Sequence, residues 1–144
     1  MEIASIALPL HLISLVYVAW NVVRADHMGF NWIRGKIGIL DENIVNKYHR
    51  GSWLGLGMMI VTGSLLFWPM REFLLSRPQF YVKMGFVTAL LINGLVIGHL
   101  SKLSTTKTFS SLSLREKIPL FISGAVSTVS WIGAALGGLF LIPE

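Results

Sequence analysis

The sequence predicts an all-α integral membrane protein: a bundle of four helices with both termini on the non-cytoplasmic side. Three observations carry that prediction. First, four stretches contain no Asp, Glu, Lys or Arg: Ile3–Val23, Gly51–Met70, Met84–Ser101 and Ile118–Pro143. Each is close to the roughly 20 apolar residues that cross ~30 Å of hydrocarbon as a helix, the form that satisfies its own backbone hydrogen bonds in lipid. Second, 53% of the 144 residues are apolar and only 13% are charged. Soluble domains carry charge on roughly a quarter of their residues.

Third, the basic residues segregate by side. Arg24, Arg34, Lys36, Lys47, Arg50, Lys102, Lys107, Arg115 and Lys117 flank the connections after the first and third stretches. Only Arg71, Arg77 and Lys83 flank the connection between the second and third. The excess of Lys and Arg marks the cytoplasmic side. The net charge of +5 therefore reads as topology and lipid contact. No basic patch interleaves with aromatics on a soluble face, so nucleic acid is not an expected partner. The whole chain, 1–144, reads as one transmembrane domain with helices at about 3–23, 44–69, 79–101 and 115–142, in the inner membrane of a cell.

Helix 1 follows Met1-Glu2, which lacks the basic start of a secretory signal, and its apolar run is long for one. The connection Arg24–Leu40 is unusually apolar, with Met28, Phe30, Trp32, Ile33 and Ile37. Trp32 beside Arg34 suits an anchor lying at headgroup level, a reading favoured over a lid closing on a site. Asp41 is placed to cap helix 2, with Glu42 in its first turn. Ser76-Arg77-Pro78-Gln79 has the spacing of a capping box opening helix 3, with Pro78 in the first turn. Leu103–Leu112 is rich in Ser and Thr and reads as a plain solvated loop. Ser113-Leu114-Arg115-Glu116 is a second capping box, opening helix 4, inside which Pro119 is expected to make a kink.

Small residues recur at four-residue spacing. Helix 4 carries Ser123/Ser127, Gly124/Thr128, Ser130/Ala134/Gly138 and Gly133/Gly137; helix 2 carries Gly51/Gly55. Such ladders let helix backbones approach closely in lipid. Asn21 and Asn93, the polar amides within the spans, are expected to bond across helices.

The chain has no cysteine, which excludes disulfides, thiolate metal sites, iron–sulfur clusters and covalently attached haem. It has no Gly-x-Ser-x-Gly, His-Glu-x-x-His or phosphate-cradling Gly-Lys-Ser/Thr. All seven acids lie in connections or termini, against a transporter built on a buried carboxylate. A non-enzyme is the favoured reading.

The chemistry that remains rests on four histidines. His27, His49 and His99 fall at the cytoplasmic ends of their helices, with Asp26 beside His27. His11 lies about a third of the way into helix 1 from the other side. Ionisable residues within membrane spans are uncommon and tend to be functional. Histidine is the commonest metal ligand and an axial ligand of haem iron. Three readings follow, the first of them the leading one. A b-type haem held by His49 and His99 would pass electrons to a quinone or another redox subunit. Asp26, His27, His49 and His99 could together hold zinc or iron. A cofactor-free accessory or scaffold subunit would join a homo-oligomer or a larger complex through helix 4.

Several segments resemble a group of uncharacterised small four-span bacterial membrane proteins: Asp26–Lys36, Lys83–Gly85 with Leu90–Gly94, and Ser123–Trp131. A looser resemblance, to four-helix cytochromes of the b561 kind and to copper-resistance-D-like and HemJ-like membrane proteins, rests on two features. His49 opens a helix running through Thr62-Gly63 to Leu66-Phe67-Trp68-Pro69, and His11 sits in helix 1. That resemblance implies haem b held between histidines paired at similar depth. His11 has no partner histidine on its side, so it implies one haem at most.

Overall fold

A computed structural model describes residues 2–141 of the chain. The order of elements is α1 (Glu2–Ile33), α2 (Glu42–Leu75), α3 (Pro78–Thr106), a single 3-10 turn (Phe109–Ser111) and α4 (Leu114–Leu139). No strand occurs among the described residues. All four helices are long and apolar enough to cross a membrane. Their outer faces are apolar in the way lipid requires: Ile3, Ile6, Leu10, Ile13 and Trp20 are exposed along one side of α1. Faces of this extent are stable against lipid or protein, not against water. The predicted end of helix 4 at residue 142 lies outside the described residues.

The helices outrun the charge-free stretches, and local chemistry says why. Arg24–Ile33 is not a loop; it continues α1. Nothing in Arg24-Ala25-Asp26-His27-Met28 stops a helix, and the stop comes at Gly35. The Gly35 N–H bonds the Trp32 carbonyl at 3.1 Å and the Lys36 N–H bonds the Asn31 carbonyl at 2.9 Å. That pair of bonds is a Schellman motif, and it needs the left-handed φ of +73° that Gly35 supplies. Asp41 caps α2 as expected, its Oδ1 accepting from the Asn43 N–H at 2.8 Å and the Ile44 N–H at 3.3 Å. Pro69 stands inside α2, which runs on to Leu75.

The two expected capping boxes have different fates. At α4 the Glu116 carboxylate accepts from the Ser113 N–H at 2.9 Å, and the box closes. At α3 the Ser76 hydroxyl donates back to the Phe73 carbonyl at 2.7 Å. It finishes α2 rather than starting α3, which opens directly on Pro78. Only two residues separate the helices, so one hydroxyl has both ends within reach.

The described chain groups into two compact units: Met1–Pro69 with Ser101–Leu112, and Met70–Leu100 with Ser113–Glu144. In the first unit α1 and α2 form an antiparallel hairpin whose connection is tied to residues 101–112. Leu103–Leu112 is therefore not the plain loop expected. Its first four residues end α3, and its remainder packs on Trp32. That side chain is 3% exposed, its indole N–H donates to the Lys107 carbonyl at 3.0 Å, and its ring meets Phe109 edge-on. The Leu40 N–H bonds the Ser104 carbonyl at 2.8 Å, and Leu40 and Leu112 are both buried. Trp32 is thus the centre of a small core and not an aromatic anchor at the interface. Phe30, stacked with Arg34, remains exposed.

In the second unit α3 and α4 form another antiparallel hairpin. Ser123, Ser127, Ser130 and Ala134 are buried along α4 at alternating spacings of four and three, one stripe of an α-helix.

Candidate functional site

Both hairpins close on small side chains. In the first, Asn21, Val18 and His11 of α1 meet Gly51, Gly55 and Gly63 of α2 in antiparallel order. A Cβ on Gly51 would fall on the Asn21 carboxamide. One on Gly55 would lie 2.6 Å from the Cβ of fully buried Val18. Asn21 does not bond across to α2, as expected from its place in the span. Its Nδ2 donates to the Tyr17 carbonyl one turn back, at 2.9 Å, a partner already at hand on its own helix. In the second hairpin Asn93 does bond across helices. Its Nδ2 donates to the Ser123 carbonyl at 3.0 Å and its Oδ1 accepts from the Ser123 hydroxyl at 2.8 Å. Gly133 receives the Phe86 ring, and Gly137 and Gly138 receive the Lys83 stem.

His11 belongs to the first seam. Its Nδ1 lies 2.8 Å from Thr62 Oγ1, and that hydroxyl donates its only proton to the Met58 carbonyl at 2.7 Å. With the Thr62 proton on that carbonyl, the hydroxyl accepts from His11, whose Nδ1 is then the protonated nitrogen. In the neutral ring the lone pair then sits on Nε2. The ring also packs on Gly63, where a Cβ would stand 3.4 Å from Cε1.

His49 is engaged on its own helix. The Trp53 indole N–H donates to His49 Nε2 at 3.1 Å, with the rings edge to face. An indole only donates, so His49 Nε2 is the unprotonated nitrogen. His27 and Asp26 are exposed near the end of α1, and His99 is exposed near the end of α3. Among the described residues no three His, Asp or Glu side chains gather into a group able to hold a metal ion.

Haem b, the cofactor the resemblance implies, needs an imidazole nitrogen with its lone pair on the iron. His11 has the fitting tautomer, its Nδ1–H bonded to an acceptor as in metal-bound imidazoles. His49 fits less well, because an iron bond at Nε2 would cost the bond from Trp53.

Sequence reasoning missed one feature. Where the first hairpin meets the charged ends of its helices, a cleft of about 460 Å³ opens. Tyr17 and Asn21 of α1 line it, with Asn43, Asn46, Lys47, Arg50, Gly51 and Leu54 of α2. The signal was present as Asn43, Asn46, Lys47 and Arg50 at spacings of three and four, which share a helix face.

A second feature lies on the outside of α4. Gly124 has nothing within 4 Å of where its Cβ would be, and Thr128 one turn on is exposed. The Thr128 hydroxyl donates to the Gly124 carbonyl at 3.0 Å, and Phe121 and Ile132 on the same helix are exposed.

No protein-family model, curated protein or solved structure matches this chain.

Proposed function

We propose that this chain is a multi-pass membrane subunit without catalytic chemistry, an accessory or scaffold protein that joins a homo-oligomer or a larger membrane complex through α4. The observation that carries this reading is the division of labour among the small residues of α4. Ser123 and Gly133 meet Asn93 and Phe86 of α3, and Ser127, Ser130 and Ala134 are buried along α4. Among the described residues nothing lies within 4 Å of where a Gly124 Cβ would be and Thr128 is exposed, so the pair offers another helix the close approach that small-xxx-small pairs permit in lipid. The engaged histidines support the same reading: His11 bonds Thr62 and His49 bonds Trp53.

The test is a Gly124→Leu substitution, followed by native gel electrophoresis of mild-detergent extracts. The assembly should collapse to the single chain while the melting of the chain itself is unchanged. An assembly indifferent to Gly124→Leu overturns the reading.

A second reading, a b-type haem protein passing electrons to a quinone or a redox subunit, is favoured by the tautomer of His11. An absorption spectrum of the purified protein, oxidised and then reduced with dithionite, separates the two. A Soret band with sharp α and β bands establishes the haem reading, and its loss in His11→Ala would identify the ligand. A featureless visible spectrum leaves the scaffold.

A further inference from the structure

We infer that the cleft between α1 and α2 is a binding site for the phosphate headgroup of an anionic membrane lipid. The inference rests on the make-up of the cleft and on its depth, and does not depend on the scaffold reading.

The lining supplies Lys47 and Arg50 as cations and Asn43 and Asn46 as carboxamides, with no carboxylate among them; the Asn21 carboxamide beside them is held by the Tyr17 carbonyl. Asp41 and Glu42, which precede Asn43 in the chain, and Asp26 on α1 lie outside the lining, and Asp41 is committed to capping α2. An arginine fork, an ammonium and amide N–H groups together match a phosphodiester, which accepts hydrogen bonds at several oxygens and carries the opposite charge.

The depth selects a lipid over free phosphate. Arg50 is the last charged residue before the charge-free stretch Gly51–Met70, so the cleft straddles the edge of the hydrocarbon. Leu54 lies one turn further in, about 6 Å along the axis. With Tyr17 it forms the apolar end of the same cleft, and both are exposed. A free anion would use the cationic end and leave Leu54 and Tyr17 idle. A lipid uses both, the phosphate at Lys47 and Arg50 and the start of an acyl chain along Leu54. Basic pockets at the ends of spanning helices recognise anionic headgroups in this way.

The test is native mass spectrometry of the full chain released from nanodiscs of mixed phosphatidylcholine and phosphatidylglycerol. Wild type should retain phosphatidylglycerol in preference to phosphatidylcholine. The double variant Lys47→Gln/Arg50→Gln should lose it, with affinity down about thirtyfold for two phosphate-facing cations. Lys36→Gln/Lys102→Gln removes the same charge from exposed positions outside the cleft and should keep the lipid. Equal losses in the two double variants would mean diffuse attraction to the surface and overturn the site. So would wild-type protein that shows no preference between the two lipids, a readout that needs no variant to fold. Displacement of the lipid by millimolar inorganic phosphate would identify a free-anion site and overturn the lipid assignment.

Discussion

Adding one methyl group at Gly55 should open the α1–α2 seam. In Gly55→Ala the new Cβ would stand 2.6 Å from Val18 Cβ, 3.0 Å from Cγ2 and 3.1 Å from Cα. Carbon atoms rest at about 3.5–4.0 Å, so the shortfall is about 1 Å. The obstructing atoms are backbone and a β-branched side chain that is 0% exposed, neither of which can swing aside. The helices must therefore part. Overpacking of this kind costs about 1–3 kcal/mol, less the ~0.5–1 kcal/mol gained by replacing a helical glycine. Parting also strains the His11–Thr62 bond two turns along, now 2.8 Å, which contributes up to about 1 kcal/mol. The net expectation is destabilisation by about 2 kcal/mol.

Gly57 provides the control. It lies on the same helix with nothing within 4 Å, so Gly57→Ala should stabilise by ~0.5–1 kcal/mol. Reversible unfolding in mixed micelles, followed by circular dichroism, measures both. A double variant, Gly55→Ala with Val18→Gly, removes the Val18 Cβ that obstructs the new methyl group, at the cost of the rest of the valine and a second helical glycine, so it should be less damaging than the sum of the two single changes, a coupling that a mutant cycle isolates. Gly55→Ala within ~0.5 kcal/mol of wild type would refute the close-packed seam. So would Gly57→Ala as damaging as Gly55→Ala.

Three further outcomes are expected. Asn93→Leu strips the Ser123 hydroxyl and carbonyl of their partner and should cost about 1–2 kcal/mol by the same unfolding assay, with part regained in Asn93→Leu/Ser123→Ala. Trp32→Phe keeps a ring against Phe109 but removes the donor to the Lys107 carbonyl, so amide exchange across 107–112 should quicken by about fivefold, the equivalent of ~1 kcal/mol; unchanged exchange would mean that the indole bond holds nothing. Gly35→Ala forces a Cβ into the left-handed region and should lower stability by about 1–2 kcal/mol, whereas Gly29→Ala, in open space on α1, should not.

The class of the fold and the number of long helices are legible in the sequence. Runs free of charge, helix-length and bounded by Lys and Arg, have one stable form in lipid, and that constraint acts on each segment alone. Local chemistry was equally legible where its partners are close in sequence. Asp41 at the head of α2 and the Ser113–Glu116 box are both complete within a single turn. The Ser76 box failed because the same hydroxyl could serve the preceding helix at equal distance along the chain.

Contacts between distant residues emerge only in the folded chain. Nothing local marks Trp32 as the centre of a core, because the Lys107 carbonyl and Phe109 that complete it lie 75 or more residues away. An aromatic residue beside an arginine has the same local pattern whether it faces headgroups or a neighbouring segment. The small-residue ladders have the same ambiguity: spacing shows that Gly55, Gly133 and Gly124 permit close approach, and only the packed helices show which are already filled. The same holds for the histidines. A lone imidazole in a sequence is a possible ligand, and it takes the Thr62 hydroxyl against His11 and the Trp53 indole against His49 to show which nitrogen carries the proton. The cleft needs two helices brought together, since Tyr17 and Asn21 come from α1 and the cations from α2. A site of that kind exists only once the seam formed by Gly51 and Gly55 has closed.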